Sequence, residues 1–406
     1  MKHIVIIGGG AAGLVSAIYA KKETNKVTIL ERNSLCGKKL LATGNGKCNY
    51  WNSDQSLEHY HSNNEEYLKY IITEENKQEI LSFFSKLGIY PKIKNGYYYP
   101  FSNQAATIKN ALISEVKRKK ITVKTDFLVE NIKKENKIFK ISGNNEVIIA
   151  DQVIIGTGSK ASPKTGSDGI GYKLLRQIGH TIIEPHPALV QLKASATFLK
   201  KWAGIRTDVE VSLYENDNLI KKEIGEIQLT DYGLSGICVF NLSRHVSIGL
   251  SQKKKEVIKI NFMPFIKENP REYLTNFFKQ TTKKTIKEQL EGFLNNKLVE
   301  VIIDESNVPQ EQSFTELPIE SQERLVKQLT DFSVEIIGTN DFNQSQVCSG
   351  GAPLSELNVE TMESKLMNNL YIVGELVDVD GDCGGYNLSF AWISGMLAGR
   401  SSSSND

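Results

Sequence analysis

Apolar positions along this chain follow two kinds of pattern. Near the start, Ile4-Val5-Ile6-Ile7 is an unbroken apolar run, followed by glycines at 8, 9, 10 and 13 and an alanine-rich segment over 14–22. A second run, Val27-Thr28-Ile29-Leu30, ends on Glu31. Short unbroken runs bounded by turn residues predict buried strands, and the segment between them predicts a helix. Residues 71–87 instead carry apolar side chains at helical spacing and stop at Gly88. Ile108, Leu112 and Val116 recur every four residues and predict another helix, capped by Ser102 or Asn103 and ending in the basic run 117–120. Between the two helices, residues 96–103 are predicted as an aromatic turn. Its Tyr97, Tyr98 and Tyr99 serve either as ordinary strand and packing residues or as the wall of an aromatic cavity.

From Ile121 the pattern becomes strand-rich. Gly143-Asn144-Asn145 between two alternating runs is a hairpin signal, and 151–155 reads as a buried parallel strand ending in Gly156-Thr157-Gly158. Glycines recur over 159–185, but no strand runs into them and their spacing is not that of a second dinucleotide loop. At Pro185-His186-Pro187 the character changes. Short alternating strands continue to Ile260, with 208–214, 219–220 and 223–229 among them, as in a small β-barrel or sandwich. Residues 270–300 and 320–329 read as helical, and 332–338 as a strand. The last block repeats the opening pattern: an apolar strand over 370–373, Gly374-Glu375, a glycine-rich polar loop, and a helix over 388–399. The predicted organisation is therefore α/β. Residues 1–186 and 346–406 form one split Rossmann-like domain, with 187–345 inserted as a barrel and helical substrate or cover region. The serine run 401–404 is the one low-complexity feature.

Composition narrows the class. The chain has 406 residues, 40% hydrophobic and 24% charged, with a formal net charge of +2. That suits a globular enzyme with a small-molecule substrate and makes no electrostatic case for nucleic acid or a membrane surface. No stretch approaches the ~18 apolar residues of a membrane helix, and the start is not patterned as a signal peptide. The five cysteines are scattered, with no C-x-x-C pair, which points to the reducing cytoplasm. His59 and His61 lie two apart with no ligand set nearby in sequence, so they are read as loop residues and no metal site is expected. Cys48 is read as a structural thiol. Nothing in the sequence sets the oligomeric state.

The chemistry begins at Gly8-x-Gly10-x-x-Gly13. Gly8 permits a sharp turn, Gly10 lets a pyrophosphate approach the backbone, and Gly13 lets the helix lie close to the strand. The N–H groups of Ala11, Ala12 and Gly13 at the helix start favour phosphate, and Glu31 stands where a carboxylate accepts ribose hydroxyls. Arg32, Lys38 and Lys39 offer cations to the same ligand. Thr43, Gly44 and Asn45 offer hydroxyl, backbone and amide contacts to a ring, and Gly156 and Gly158 permit close passage of a cofactor. Gly374, Glu375, Gly385, Tyr386 and Asn387 form a second glycine–acid–helix-start set, suited to the negative charge of a reduced flavin.

With these pieces in place, the sequence resembles the bacterial aminoacetone oxidase family of FAD-binding enzymes, a group that includes 3-dehydro-bile-acid Δ4,6-reductases. The resemblance covers nearly the whole chain. It rests on the loop 37–49, on Thr361-Met362-Glu363-Ser364-Lys365, on the block 374–387, and on 229–236. It implies a split FAD domain of the two-dinucleotide-binding type. The segment 8–13 and Glu31 would hold the ADP half. The loop 43–45, Glu375 and the helix start 385–387 would surround the ribityl chain and flavin. Two departures stand out: lysine at positions 38 and 47 where arginine is common, and proline in Gly350-Gly351-Ala352-Pro353.

The reading is thus an FAD-dependent oxidoreductase. One version reduces an activated C=C bond of a steroid-like enone, with Tyr386 or a tyrosine of 97–99 as the proton donor. A second oxidises a small amine with O2. A third modifies or binds RNA, through lysines such as 253–255 and 283–284. No second dinucleotide motif is present, so NAD(P)H, if it is the electron donor, would bind transiently.

Overall fold

A computed structural model describes residues 1–404 other than 268 and 282. The chain forms two compact units, Met1–His186 with Gln346–Asp406, and Pro187–Ser345.

In the first unit, the opening apolar run forms the strand Lys2–Ile7, and Val27 to Leu30 lies within Asn25–Leu30. These two strands pair in parallel with each other, and Gln152–Ile155 and Leu370–Ile372 continue the same parallel sheet. The full order is Leu357–Asn358, Glu363–Ser364, Leu370–Ile372, Gln152–Ile155, Lys2–Ile7, Asn25–Leu30, Thr122–Lys124. Strands from both ends of the chain therefore flank Gln152–Ile155. Ile4 to Ile6 and Val153 to Ile155 are fully buried, as expected for parallel strands covered on both faces.

The helix Ala11–Ala20 packs directly on the C-terminal helix Tyr386–Ser403. Small residues allow this: a Cβ on Gly395 would lie 2.5 Å from the Ala12 carbonyl oxygen, and one on Gly399 2.5 Å from that of Ser16. The serine run closes this helix, so it is structured through Ser403. The helices Glu74–Lys86 and Ala105–Arg118 form where periodicity placed them, the second burying Ile108, Leu112 and Val116. Its cap is Gln104, and the Ser102 hydroxyl bonds instead to Thr107 Oγ1 at 2.6 Å. Asn144 and Asn145, both at positive φ, make a two-residue turn between Ile138–Gly143 and Glu146–Ala150, with Gly143 opposite Glu146.

The segment read as an aromatic turn is in part a strand: Tyr97–Pro100 lies between Trp51–Asn52 and Pro91–Lys94, which bears out the strand and packing alternative for the tyrosines. Aromatic rings stabilise a pleated, half-covered surface, and here long-range pairing to residue 51 decided the conformation.

The second unit contains a closed six-stranded barrel, ordered Leu192–Ala194, Gly233–Gly236, Asn218–Leu229, Arg206–Glu215, Glu256–Asn261, Phe332–Thr339. Residues 219–229 belong to one long strand and not two. A helix, Ile237–Ser251, lies where only short strands were expected. Its buried Cys238, Leu242 and Val246 recur every four residues, a helical signal masked by β-branched neighbours.

Glu256 is 1% exposed, and both of its carboxyl oxygens lack a hydrogen-bond partner. It sits directly opposite Glu215, whose own carboxylate pairs with Lys254 at 2.7 Å. Burial, then the Glu215 charge, pushes the Glu256 carboxyl up to about 7. A raised carboxyl pKa means the folded chain holds a proton the unfolded chain has released. Stability is therefore full below the unfolded value of about 4.3, and falls as pH rises to about 7. The total loss is of order 3 kcal/mol, since each pH unit between the two values costs about 1.4 kcal/mol. Glu256→Gln is expected to flatten this segment of the stability–pH curve and to make the variant the more stable protein at pH 8. Denaturant titrations at pH 5 and pH 8 check this; an equal slope in both proteins would remove Glu256 as its source.

Candidate active site

The three glycines of the opening loop do different physical work. Gly8 is at φ +103, and a Cβ there would lie 2.4 Å from the Gly156 carbonyl oxygen. A Cβ on Gly13 would lie 1.9 Å from the Gly8 oxygen. Both positions are closed by backbone. Gly10 is extended, at φ −81, and a Cβ on it would meet nothing within 4 Å. The helix it opens has no side-chain cap. An open cradle over uncapped N–H groups is the arrangement that accepts a phosphate.

Glu31 is buried and preset. Its Oε2 accepts from the Gly9 N–H at 2.8 Å, and its Oε1 accepts from the N–H and side-chain amide of Asn33 at 2.8 and 2.7 Å. These bonds fix the carboxylate just past the end of Asn25–Leu30. Arg32 pairs with Asp168 at 2.5 Å, and Lys38 is exposed. Thr43 turns its hydroxyl to the Leu40 carbonyl at 2.6 Å, and the loop through Gly44 and Asn45 is exposed at positive φ. Gly158, at φ +76, has the Ser167 hydroxyl against it.

Lys39 and Glu375, far apart in sequence, form an ion pair at 2.6 Å, and the Ser159 hydroxyl donates to the same Glu375 oxygen at 3.1 Å. Gly374 is at φ +68, and its N–H donates to the Ser394 hydroxyl oxygen at 3.0 Å. Gly385, at φ +98, opens the C-terminal helix against the Trp51 backbone and Asn49. The Asn387 amide grips the Gly381 peptide from both sides, accepting from its N–H at 2.9 Å and donating to its oxygen at 2.7 Å. That amide therefore shapes the loop.

Tyr386 is buried, and burial raises its hydroxyl above the usual tyrosine value, so it stays protonated. Its ring is clamped by His59, stacked at 4.5 Å and 20°, and by Tyr60, edge-on at 5.6 Å. Tyr97 reaches the same spot, since a Cβ on Gly384 would lie 3.0 Å from Tyr97 and 2.7 Å from Tyr386. Tyr98 packs against Tyr50 instead.

The loop reading of His59 and His61 is corrected. His61 is buried in a strand paired with Asp380–Gly381, and both imidazoles face Asp382, at 3.2 and 3.1 Å. Their carboxylate partner stands more than three hundred positions away, which no local pattern reveals. Asp54, Glu58 and His59 also place ligand-type atoms within 4.8 Å of one another on the surface. Cys48 is buried, which pushes its thiol up to about 11, the state of an unreactive structural cysteine.

Several polar atoms of this unit are buried without a hydrogen-bond partner: Asn49 Oδ1, Thr157 Oγ1, Tyr172 hydroxyl, Ser349 Oγ and Asp378 Oδ1. Tyr172 and Cys348 lie close enough to Glu375 to feel its charge, and burial raises both. None of these five polar groups stands out in the sequence as a site residue. Unsatisfied groups of this kind, together with the Gly10 cradle, Glu31 and the Lys39–Glu375 pair, fit a bound dinucleotide with a polar ring system.

Comparison with known proteins agrees with this geometry. The family described as HI0933-like protein, Rossmann domain, matches residues 2–401. A 3-dehydro-bile acid delta(4,6)-reductase of Clostridium scindens is 39% identical over 403 residues, covering 98% of each chain. A ribosomal RNA dihydrouridine synthase of Escherichia coli is 26% identical, covering 96% of this chain and 95% of the other. Among solved structures, a 3-ketosteroid-delta4-(5alpha)-dehydrogenase of Rhodococcus jostii RHA1 superposes with a TM-score of 0.50 at 13% identity, covering 100% of this chain and 97% of that one.

Proposed function

The chain belongs to the HI0933-like Rossmann family, and from that premise we propose that this FAD-dependent oxidoreductase reduces a C=C bond conjugated to a carbonyl, in a steroid or bile-acid-like enone. The observation that carries the reading is the buried, protonated Tyr386 beside the helix start, in a chain 39% identical throughout to an enzyme named for such a reduction. Bound in its reduced form, FAD would supply the hydride. The residues do the rest. Gly10 and the helix start receive the pyrophosphate, Glu31 the ribose, and Lys39–Glu375 with Ser159 the polar chain leading to the ring. With a hydride delivered to the β-carbon of the enone, the Tyr386 hydroxyl would give its proton to the α-carbon, so that a hydride and a proton, two electrons and two protons in all, complete the reduction. The resulting phenolate regains a proton from water.

A second reading is favoured by the dihydrouridine synthase relatives, which span nearly the whole chain. Uracil also carries a C=C bond conjugated to a carbonyl, so the same hydride and proton delivery would serve an RNA substrate. One experiment separates the two. Protein reduced anaerobically is mixed with a 3-oxo-Δ4 steroid acid, with ribosomal RNA, or with O2 and a small amine. Rapid reoxidation by the steroid with a saturated product supports the first reading. Dihydrouridine in the RNA, with no steroid turnover, replaces it with the second, and amine consumption replaces both.

A further inference from the structure

We propose that one face of the small sheet beside Tyr386 receives the body and tail of the substrate, with Lys92 and Lys94 holding an anionic tail such as a carboxylate. The inference rests on the enone reading and deepens it: the substrate becomes an anion with an apolar ring body. Trp51–Asn52, Tyr97–Pro100 and Pro91–Lys94 pair antiparallel, with Asn52 opposite Tyr97, Tyr97 opposite Lys94, and Tyr99 opposite Lys92. Residues directly opposite share a face, and so do alternate residues of one strand. Asn52, Tyr97, Tyr99, Lys92 and Lys94 therefore stand on one face, and that face is the one turned to Tyr386. The Asn52 amide donates to the Gly384 carbonyl at 3.0 Å, and a Cβ on Gly384 would lie 3.0 Å from Tyr97 and 2.7 Å from Tyr386. Tyr98, on the other face, packs on Tyr50.

The face changes chemistry as it leaves Tyr386. Tyr97 and Tyr99 are half-buried. The next pair outward, Tyr90 and Phe101, is 73% and 64% exposed, and its rings meet edge to face at 5.7 Å. Lys92 and Lys94 are exposed and form no ion pair among the described residues. Half-covered rings offer an apolar surface to a fused-ring body, and the ammonium groups offer an anion site at its edge. Two strand spacings, about 10 Å, separate the Asn52 backbone from that of Lys94, so the cations sit well beyond the reacting end. Acids gather at that reacting end: burial first, and then Asp54, Tyr97, Asp382 and Glu58, oppose ionisation of the Tyr386 hydroxyl. A negative tail is repelled there and attracted to the lysines, so the charges choose which end of the substrate reaches Tyr386. Pro91–Lys94 is also an edge strand, where lysines deter pairing with a second chain. That role predicts a change in association and none in KM.

The test is steady-state reduction, by the full-length holoenzyme, of two 3-oxo-Δ4 steroids that differ only in the tail, a carboxylate in one and its methyl ester in the other. In Lys92→Gln with Lys94→Gln, KM for the acid is expected to rise roughly tenfold, about 1.4 kcal/mol, the size of two exposed charge contacts, with kcat unchanged. The ester has no charge to place and is expected to keep its KM. Lys92→Arg with Lys94→Arg is expected to keep the preference for the acid, and high salt to erode it in the parent. An unchanged KM for the acid, or an equal rise for both steroids, overturns the proposal. So does a glutamine variant whose one change is self-association, which would mark the lysines as edge protection. Loss of affinity for ribosomal RNA with the acid's KM intact would make the face an RNA surface and overturn it too. A parent that reduces neither steroid removes the enone reading itself and this one with it, a result distinct from the others.

Discussion

Gly10→Val is expected to give a folded, soluble and colourless protein that no longer retains FAD. The structure separates this position from the other glycines of the loop. Valine at Gly8 or Gly13 would drive a side chain into a backbone oxygen, so loss of cofactor there would not be distinguishable from loss of the fold. Gly10 has an ordinary extended backbone and open space around its missing Cβ. A valine therefore strains nothing in the protein. Its methyl groups instead fill the space above the first N–H groups of Ala11–Ala20, where the proposed pyrophosphate would lie. Losing those contacts is expected to weaken FAD by roughly 100-fold or more, about 3 kcal/mol. The measurements are the flavin absorbance of purified protein, titration with FAD, and a thermal melt. A melt close to that of the parent apoprotein with no flavin supports the placement. Stoichiometric flavin in the variant would place the phosphates elsewhere.

The second large effect is at Tyr386. Removing its hydroxyl leaves the ring between His59 and Tyr60, so Tyr386→Phe should retain the fold and its full complement of FAD. Reduction of the enone is expected to slow by roughly 10²–10⁴-fold, the range for loss of a general acid. Reoxidation by O2, which needs no proton at a substrate carbon, should be little changed. That contrast isolates the proton step from flavin binding and reduction. If enone turnover is unaltered, Tyr386 is not the donor, and Tyr97 beside it becomes the residue to test.

Much of the first unit could be read from neighbours in sequence. The run from Ile4 to Glu31 carries its own strand, turn, helix and strand, because burial on both faces writes an unbroken apolar run and a phosphate loop writes its glycines. Asn144-Asn145 is equally local: two residues that tolerate positive φ make the hairpin. The failures were also local in cause. Tyr97–Pro100 reads as a turn until Trp51 pairs with Tyr98. Ile237–Ser251 reads as strand because its β-branched residues conceal a spacing of four.

Glycines, an acid at residue 31 and a second glycine–acid block were enough to specify a dinucleotide enzyme of α/β type, since those features act through backbone geometry within a few residues. The working arrangement of the site required the fold. Lys39 meets Glu375, and His59 and His61 meet Asp382, across more than three hundred positions. Tyr172 and Cys348 gain their raised hydroxyl and thiol from burial, with the Glu375 charge nearby. Charges and hydrogen bonds act through space over a few ångströms, and chain distance carries no information about them until the sheet has brought both ends of the chain together.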